Sequence, residues 1–202
     1  KTFVDEATGK TICSWYDAER KGQLIDTQTS YALPLAFHVV DGDLQKKMAA
    51  HLAAAIKTPM AGYPAYSLLT GFIGTAWISK ALSDNGMSEE AYRLLQYEGY
   101  PSWLYPVKNG ATTIWERLNS YTVKDGFGEN NSMNSFNHYS FGAVASWMYN
   151  YSLGICRDEK SPGFKHFILK PEVDPTRGIT HAEGYYDSMY GRISSRWQYT
   201  DS

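Results

Sequence analysis

One carboxylate and one imidazole stand out by their surroundings. Glu116 follows the run Gly110-Ala111-Thr112-Thr113-Ile114-Trp115, and His138 closes Ser132-Met133-Asn134-Ser135-Phe136-Asn137. A carboxylate beside an indole, with amides and a histidine close by, is equipment for cleaving a glycosidic bond. Carboxyls serve there as proton acceptor and donor, and flat aromatic faces take the apolar side of a sugar ring. This chain offers only one compelling carboxylate. The small and β-branched residues before Glu116 suit a tight strand or turn entering a cleft. If Trp115 shields it while Arg117 points away, desolvation makes the carboxylate a stronger base. An ordinary surface pair, Glu116 with Arg117, is the plainer alternative.

His138 falls in the first turn of a predicted helix, where the positive end of the macrodipole favours a neutral, hydrogen-bonding ring suited to a sugar hydroxyl. Its alternative is a helix-start histidine bonded to a backbone carbonyl. Trp103 sits in Tyr100-Pro101-Ser102-Trp103-Leu104-Tyr105-Pro106, a segment stiffened by two prolines, and is either a sugar platform or a packing residue. Other chemistries lack their signatures. There is no Gly-x-Ser-x-Gly elbow, no glycine-rich phosphate loop and no histidine pair at metal spacing, so no metal or organic cofactor is implied.

The elements that must position these residues are mainly helical. Periodicity and capping residues predict helices over 27–40, with Pro34 interrupting or kinking the first, and over 43–56, 68–82, 88–97 and 135–154. Apolar inner helices alternate with half-polar outer ones, as in stacked helical hairpins. After Ser161-Pro162-Gly163 the period changes to two, which predicts strands over 164–169, 179–186 and 192–199, the last two joined as a hairpin through Asp187–Gly191. A domain boundary is expected near 158, giving a helical part over 1–158 and a β part over 159–202. Three strands alone leave open edges, so either more residues at the carboxyl end or another chain is expected to cover them.

Composition narrows the function classes. With a formal net charge of −2, the chain has no electrostatic footprint for nucleic acid or an anionic membrane, and uncharged substrates fit better. Aromatic residues make up 15% of the 202, a surplus that suits both sugar binding and helix packing. Cys13 and Cys156 form neither a disulfide framework nor a metal spacing. No signal peptide is visible, and the start at Lys1 reads as cut rather than natural.

Glu116 and His138 in their runs, with Gln28–Pro34, Thr70–Thr75 and the Tyr185–Ile193 hairpin in the same order, resemble the bacterial α-L-rhamnosidases of the inverting glycoside hydrolase type. The resemblance covers nearly the whole chain. It implies part of an (α/α)6 toroid of helical hairpins followed by the start of a carboxyl-terminal β-sandwich. It also implies Glu116 as general base, His138 as a rhamnose contact, and rhamnose-containing glycosides or polysaccharides as substrates. The family's general acid lies in an upstream motif that none of Asp17, Asp26, Glu98 or Glu129 matches, so the chain is expected to be a fragment, inactive by itself. Leu118 stands where a second tryptophan is common in the family, and His38 where a glycine often ends a helix. Two readings of other classes remain: a non-catalytic carbohydrate-binding piece, and a polysaccharide lyase on a similar toroid using a tyrosine such as Tyr139.

Overall fold

The computed structural model describes residues 3–14, 19–128 and 132–200, in two units that divide between Gly142 and Ala143. The first opens with a small antiparallel sheet of β1 (Val4–Asp5), β2 (Lys10–Ile12) and β3 (Leu24–Ile25), which the sequence reading did not anticipate. The strands are two or three residues long, too short for an alternation pattern to register. Lys10 pairs with Asp26, whose other oxygen accepts from the Tyr31 hydroxyl at 2.7 Å, tying the sheet to the first helix.

Helices follow: α1 (Gln28–Ala36), α2 (Gly42–Lys57), α3 (Gly71–Thr75), α4 (Ile78–Asp84), α5 (Ser88–Gln96) and α6 (Leu104–Lys108). A Thr27–Ser30 capping box starts α1. Pro34 lies inside it, yet the stop comes from a Schellman motif two residues later: His38 N–H donates to Leu35 O at 3.2 Å and Val39 N–H to Pro34 O at 2.9 Å. The first helix therefore ends at Ala36, not near residue 40. On α2, Met48, Leu52 and Ile56 recur every fourth position and are fully buried with Tyr31, Ile78, Leu82, Tyr92 and Leu94. Each such side chain contributes about 1.5–3 kcal/mol of burial.

The helix expected over 68–82 is broken into α3 and α4, and glycines account for its late start and its close packing. Gly71 has φ +60, a left-handed conformation that α-helical geometry excludes at the preceding turn, so the helix begins only there. At Gly74 a Cβ would lie 2.3 Å from Thr29 Oγ1, so only glycine lets α3 approach α1 this closely. Gln28, 1% exposed, completes this junction: its amide donates to Ala55 O and Ser67 O and accepts from Leu69 N–H at 2.9 Å. Since Leu68 N–H also bonds Pro101 O at 2.8 Å, the 67–69 segment is held from both sides.

The second unit holds α7 (Val144–Trp147), a π-helical turn at Met148–Ser152, the pair β4 (Ile155–Arg157) and β5 (Phe167–Leu169), and the hairpin β6 (His181–Ser188) and β7 (Gly191–Gln198). Leu153, Ile155 and Ile193 form its core, and the Trp197 indole donates to Ser152 O at 2.7 Å. The hairpin turns at Met189-Tyr190 as expected. The long helix expected over 135–154 is shortened, because a turn of 3-10 helix begins only at Ser140.

Candidate active site

The reason that residues 135–138 are not helical is also what assembles the site. After α6 a Schellman motif at Gly110 (φ +86) releases the chain, with Gly110 N–H on Val107 O and Ala111 N–H on Pro106 O. The chain then runs extended through Thr113–Glu116, antiparallel to Ser135–His138. His138 N–H donates to Ile114 O at 2.8 Å, Glu116 N–H to Ser135 O at 2.8 Å, and the Thr113 hydroxyl to Phe136 O. With Ser135 and His138 amides committed across the pair, no helix forms there. Glu116 and His138 thus lie on neighbouring segments.

The Glu116 side chain is fixed as well: Oε2 accepts the Ser135 main-chain N–H at 2.8 Å. The expected shielding by Trp115 is corrected. Adjacent side chains of an extended segment point to opposite faces, and the Trp115 indole packs on Phe136 (5.3 Å) and Tyr121 (6.4 Å) in an aromatic cluster completed by Phe127. Glu116 instead lines a cleft of about 280 Å³ together with Arg117, Asn119, Tyr63, Tyr100, Pro101 and a set of apolar side chains. That volume lies just under the ~300–1,000 Å³ usual for ligand pockets. Tyr63 and Tyr100 meet edge to face at 5.8 Å. Burial, then the neighbouring Tyr63 and Tyr105, push the Tyr100 phenol above its ordinary pKa, so its proton stays in place at neutral pH despite Arg117.

His138 is half-buried, and the macrodipole argument for it falls away because it precedes the 3-10 turn. Aromatic neighbours hold its ring instead: Phe72 of α3 stacks on it at 4.7 Å and 22°, and Tyr139 at 5.6 Å and 4°. Nδ1 accepts the Ser140 N–H at 3.4 Å, which places the ring proton of the neutral form on Nε2. Trp103 is 8% exposed, its indole N–H donates to Phe141 O at 2.9 Å, and it is not part of the cleft lining. It fixes the wall from behind rather than offering a face.

Ser135, Phe72, Tyr63 and Tyr100 escaped the sequence reading. Phe72 lies within the Thr70–Thr75 run, but nothing in that run says which ring it meets. Among the described residues Glu116 is the only carboxylate lining the cleft. Glu98 pairs with Lys108 at 2.8 Å and Asp26 with Lys10, while Asp17 and Glu129 lie outside the described residues. No group of three or more His, Cys, Asp or Glu among the described residues is placed to hold a metal.

Residues 2–152 match the family model of the bacterial alpha-L-rhamnosidase 6 hairpin glycosidase domain, and residues 154–202 that of the bacterial alpha-L-rhamnosidase C-terminal domain. An alpha-L-rhamnosidase of Streptomyces avermitilis is 38% identical over 182 residues, 90% of this chain and 16% of that protein. One of Alteromonas sp. (strain LOR) is 38% identical over 175 residues, 87% of this chain and 18% of that protein. The crystal structure of the Streptomyces avermitilis enzyme complexed with L-rhamnose superposes with a TM-score of 0.78 at 35% identity, over 94% of this chain and 17% of that one. The Aspergillus terreus enzyme gives 0.79 at 29% identity, over 97% of this chain and 20% of that one. The chain therefore spans about a sixth of the first of these relatives, and its helical unit is part of a six-hairpin domain followed by a small β segment. With residues 2–152 and 154–202 matched by these two family models, this chain belongs to the bacterial alpha-L-rhamnosidase six-hairpin glycosidase family.

Proposed function

We propose that the protein containing these residues hydrolyses terminal α-L-rhamnosides by single displacement with inversion, Glu116 being the general base. The observation that carries this reading is the anchored carboxylate in a cleft, one segment away from His138. The names of the relatives supply the sugar.

In the proposed step a water between Glu116 and the anomeric carbon gives its proton to the carboxylate as its oxygen bonds to C1. The C1–O bond to the leaving group breaks, and a carboxylic acid protonates the departing oxygen. An α-rhamnoside yields β-L-rhamnose, and the two carboxyls regain their starting states by proton exchange with solvent. Because Oε2 is occupied by the Ser135 amide, Oε1 takes the water's proton. His138, with its proton on Nε2, donates to a sugar hydroxyl oxygen. Inverting sites need the acid ~6.5–9.5 Å from the base. That no other described carboxylate lines this cleft supports an acid supplied by an upstream motif of the full-length protein, and with it an isolated chain that is inactive.

The test is hydrolysis of an aryl α-L-rhamnoside by the full-length protein, by its Glu116→Gln variant and by the 202-residue chain. Turnover only in the full-length protein is expected, with a loss of ~10²- to 10⁴-fold or more in the variant. A fully active Glu116→Gln enzyme removes the base assignment. Turnover by the isolated chain means that a second carboxyl lies within it. An unsaturated product from uronate polymers would indicate a lyase instead.

A further inference from the structure

Besides its carboxylate, the cleft at Glu116 is lined by the polar side chains of Arg117, Asn119, Tyr63 and Tyr100. A water that gives one hydrogen to Glu116 Oε1 has a second, and until that hydrogen is bonded the water turns freely about the first bond. Arg117 carries donors only and cannot accept it. Asn119 is exposed, so its amide is shared with bulk solvent. The two phenols remain, and their oxygens accept as well as donate.

Both phenols are held rigidly. Met60 and Tyr63 exchange two main-chain hydrogen bonds, 3.0 and 2.9 Å, across a turn whose central residues Ala61 (φ +51) and Gly62 (φ +84) are left-handed, as in a type I′ turn. Ala61 is strained there, and such strain persists only where the surroundings over-determine it. The turn brings Tyr63 edge-on to Tyr100 at 5.8 Å, and Tyr105 meets Tyr100 edge-on at 5.2 Å. Pro101, the next residue, also lines the cleft, and its carbonyl accepts the Leu68 N–H at 2.8 Å. The Arg117 charge reaches the Tyr100 phenol, which places that hydroxyl near the turn carrying Glu116. Neither hydroxyl has a hydrogen-bond partner among the described residues, and neither is closed off from solvent.

Resting on the reading of Glu116 as base, we infer that Tyr100 is a further catalytic residue, whose hydroxyl oxygen accepts the second hydrogen of the attacking water. The first hydrogen passes to Glu116 Oε1 as the water oxygen bonds to C1. The second stays on that oxygen and becomes the hydrogen of the new C1 hydroxyl. Tyr100 keeps its own proton throughout and acts by fixing the direction of attack, while Tyr63 steadies its ring.

In the full-length protein Tyr100→Phe, which keeps the ring, is expected to lose about tenfold in kcat on an aryl α-L-rhamnoside with KM within about twofold of wild type. A second readout separates water from sugar and fold: the products formed by Glu116→Ala in the presence of azide. Azide has no hydrogen to donate. Adding Tyr100→Phe to that variant is therefore expected to leave rhamnosyl azide formation within about twofold, while free rhamnose from water attack falls about tenfold. Both products come from one protein sample, so partial misfolding cancels in their ratio.

An unchanged ratio overturns the inference, because Tyr100 would then serve both nucleophiles alike through the sugar or the fold. A loss confined to KM overturns it too, as does a loss of kcat in Tyr63→Phe that Tyr100→Phe does not share. Failure of the underlying reading looks different: wild type cleaves no rhamnoside, or Glu116→Gln remains fully active, and the inference falls with it.

Discussion

Glu116 and Ser135 are joined by two hydrogen bonds, one from the Glu116 amide to the Ser135 carbonyl and one from the Ser135 amide to the Glu116 carboxylate, both 2.8 Å. The proposed base is therefore oriented by main chain, which no side-chain substitution at position 135 short of proline removes. Glutamine at 116 keeps an acceptor for the Ser135 amide, while alanine leaves a gap where the water was activated. In the full-length protein Glu116→Ala is expected to lose at least ~10²-fold in kcat on an aryl α-L-rhamnoside. Azide should restore part of the rate and give the β-L-rhamnosyl azide, read by proton NMR at the anomeric position. An azide product of α configuration would contradict attack from the face of Glu116.

Phe72 and His138 form the second coupled pair, stacked at 4.7 Å, with Phe72 also edge-on to Phe141 at 5.4 Å. On the proposed role of His138, Phe72 is a positioning residue that acts on the sugar through the imidazole. Phe72→Ala is expected to raise KM about tenfold with little change in kcat, and Phe72→Tyr to restore it. In the double variant with His138→Ala, the two effects should fail to add by about 1 kcal/mol or more. Additive effects would mean that Phe72 merely supports the fold.

Two Schellman motifs end α1 and α6, with Gly110 at the left-handed position of one and His38 (φ +53) at that of the other. A side chain with a Cβ is strained there, by roughly 1–2 kcal/mol per residue, part of which glycine's greater freedom in the unfolded chain offsets. His38 is exposed, so its replacement disturbs no packing. His38→Gly is expected to stabilise the protein by roughly 0.5–1 kcal/mol, read as a raised midpoint in thermal or urea unfolding. A lowered midpoint would show that the imidazole has a role the backbone does not reveal.

Asp26 links the amino-terminal sheet to α1. Burial pushes its pKa up, but the hydrogen bonds from Lys10 and Tyr31 and the charge of Lys10 outweigh this and hold it below the ordinary carboxylate value. A carboxylate with a depressed folded pKa stabilises fully above its unfolded pKa, about 3.9, and that stability is lost as pH falls through the folded value. Wild type should therefore be more stable than Asp26→Asn at pH 6–7, and the difference should close in acid below about pH 4. Asp26 is half exposed, so about 1 M salt should shrink the difference at neutral pH. Parallel stability curves across this range would remove the linkage.

Local sequence determined a good part of this protein. The four-residue spacing of Met48, Leu52 and Ile56 specified α2, and alternation around Met189-Tyr190 specified the β6–β7 hairpin, because periodicity is set by the element's own geometry. The runs around Glu116 and His138 identified the family, since many residues in a fixed order are far more specific than any one. Tertiary structure decided the rest. Residues 135–138 carry a helical pattern, yet their amides find better partners on Thr113–Glu116, a pairing between segments some twenty residues apart that no local window registers. Trp103, a candidate sugar platform, and Trp115, expected to shield Glu116, turn inward because their neighbours offer a carbonyl and an aromatic cluster. The 67–69 segment, which brings Leu68 and Leu69 to the cleft, is held by Gln28, whose three hydrogen bonds reach positions 27 to 41 residues away. Local propensity is a matter of tenths of a kcal/mol per residue, whereas each buried polar group left unpaired costs about 1–3 kcal/mol, so where the two conflict the long-range pairing wins.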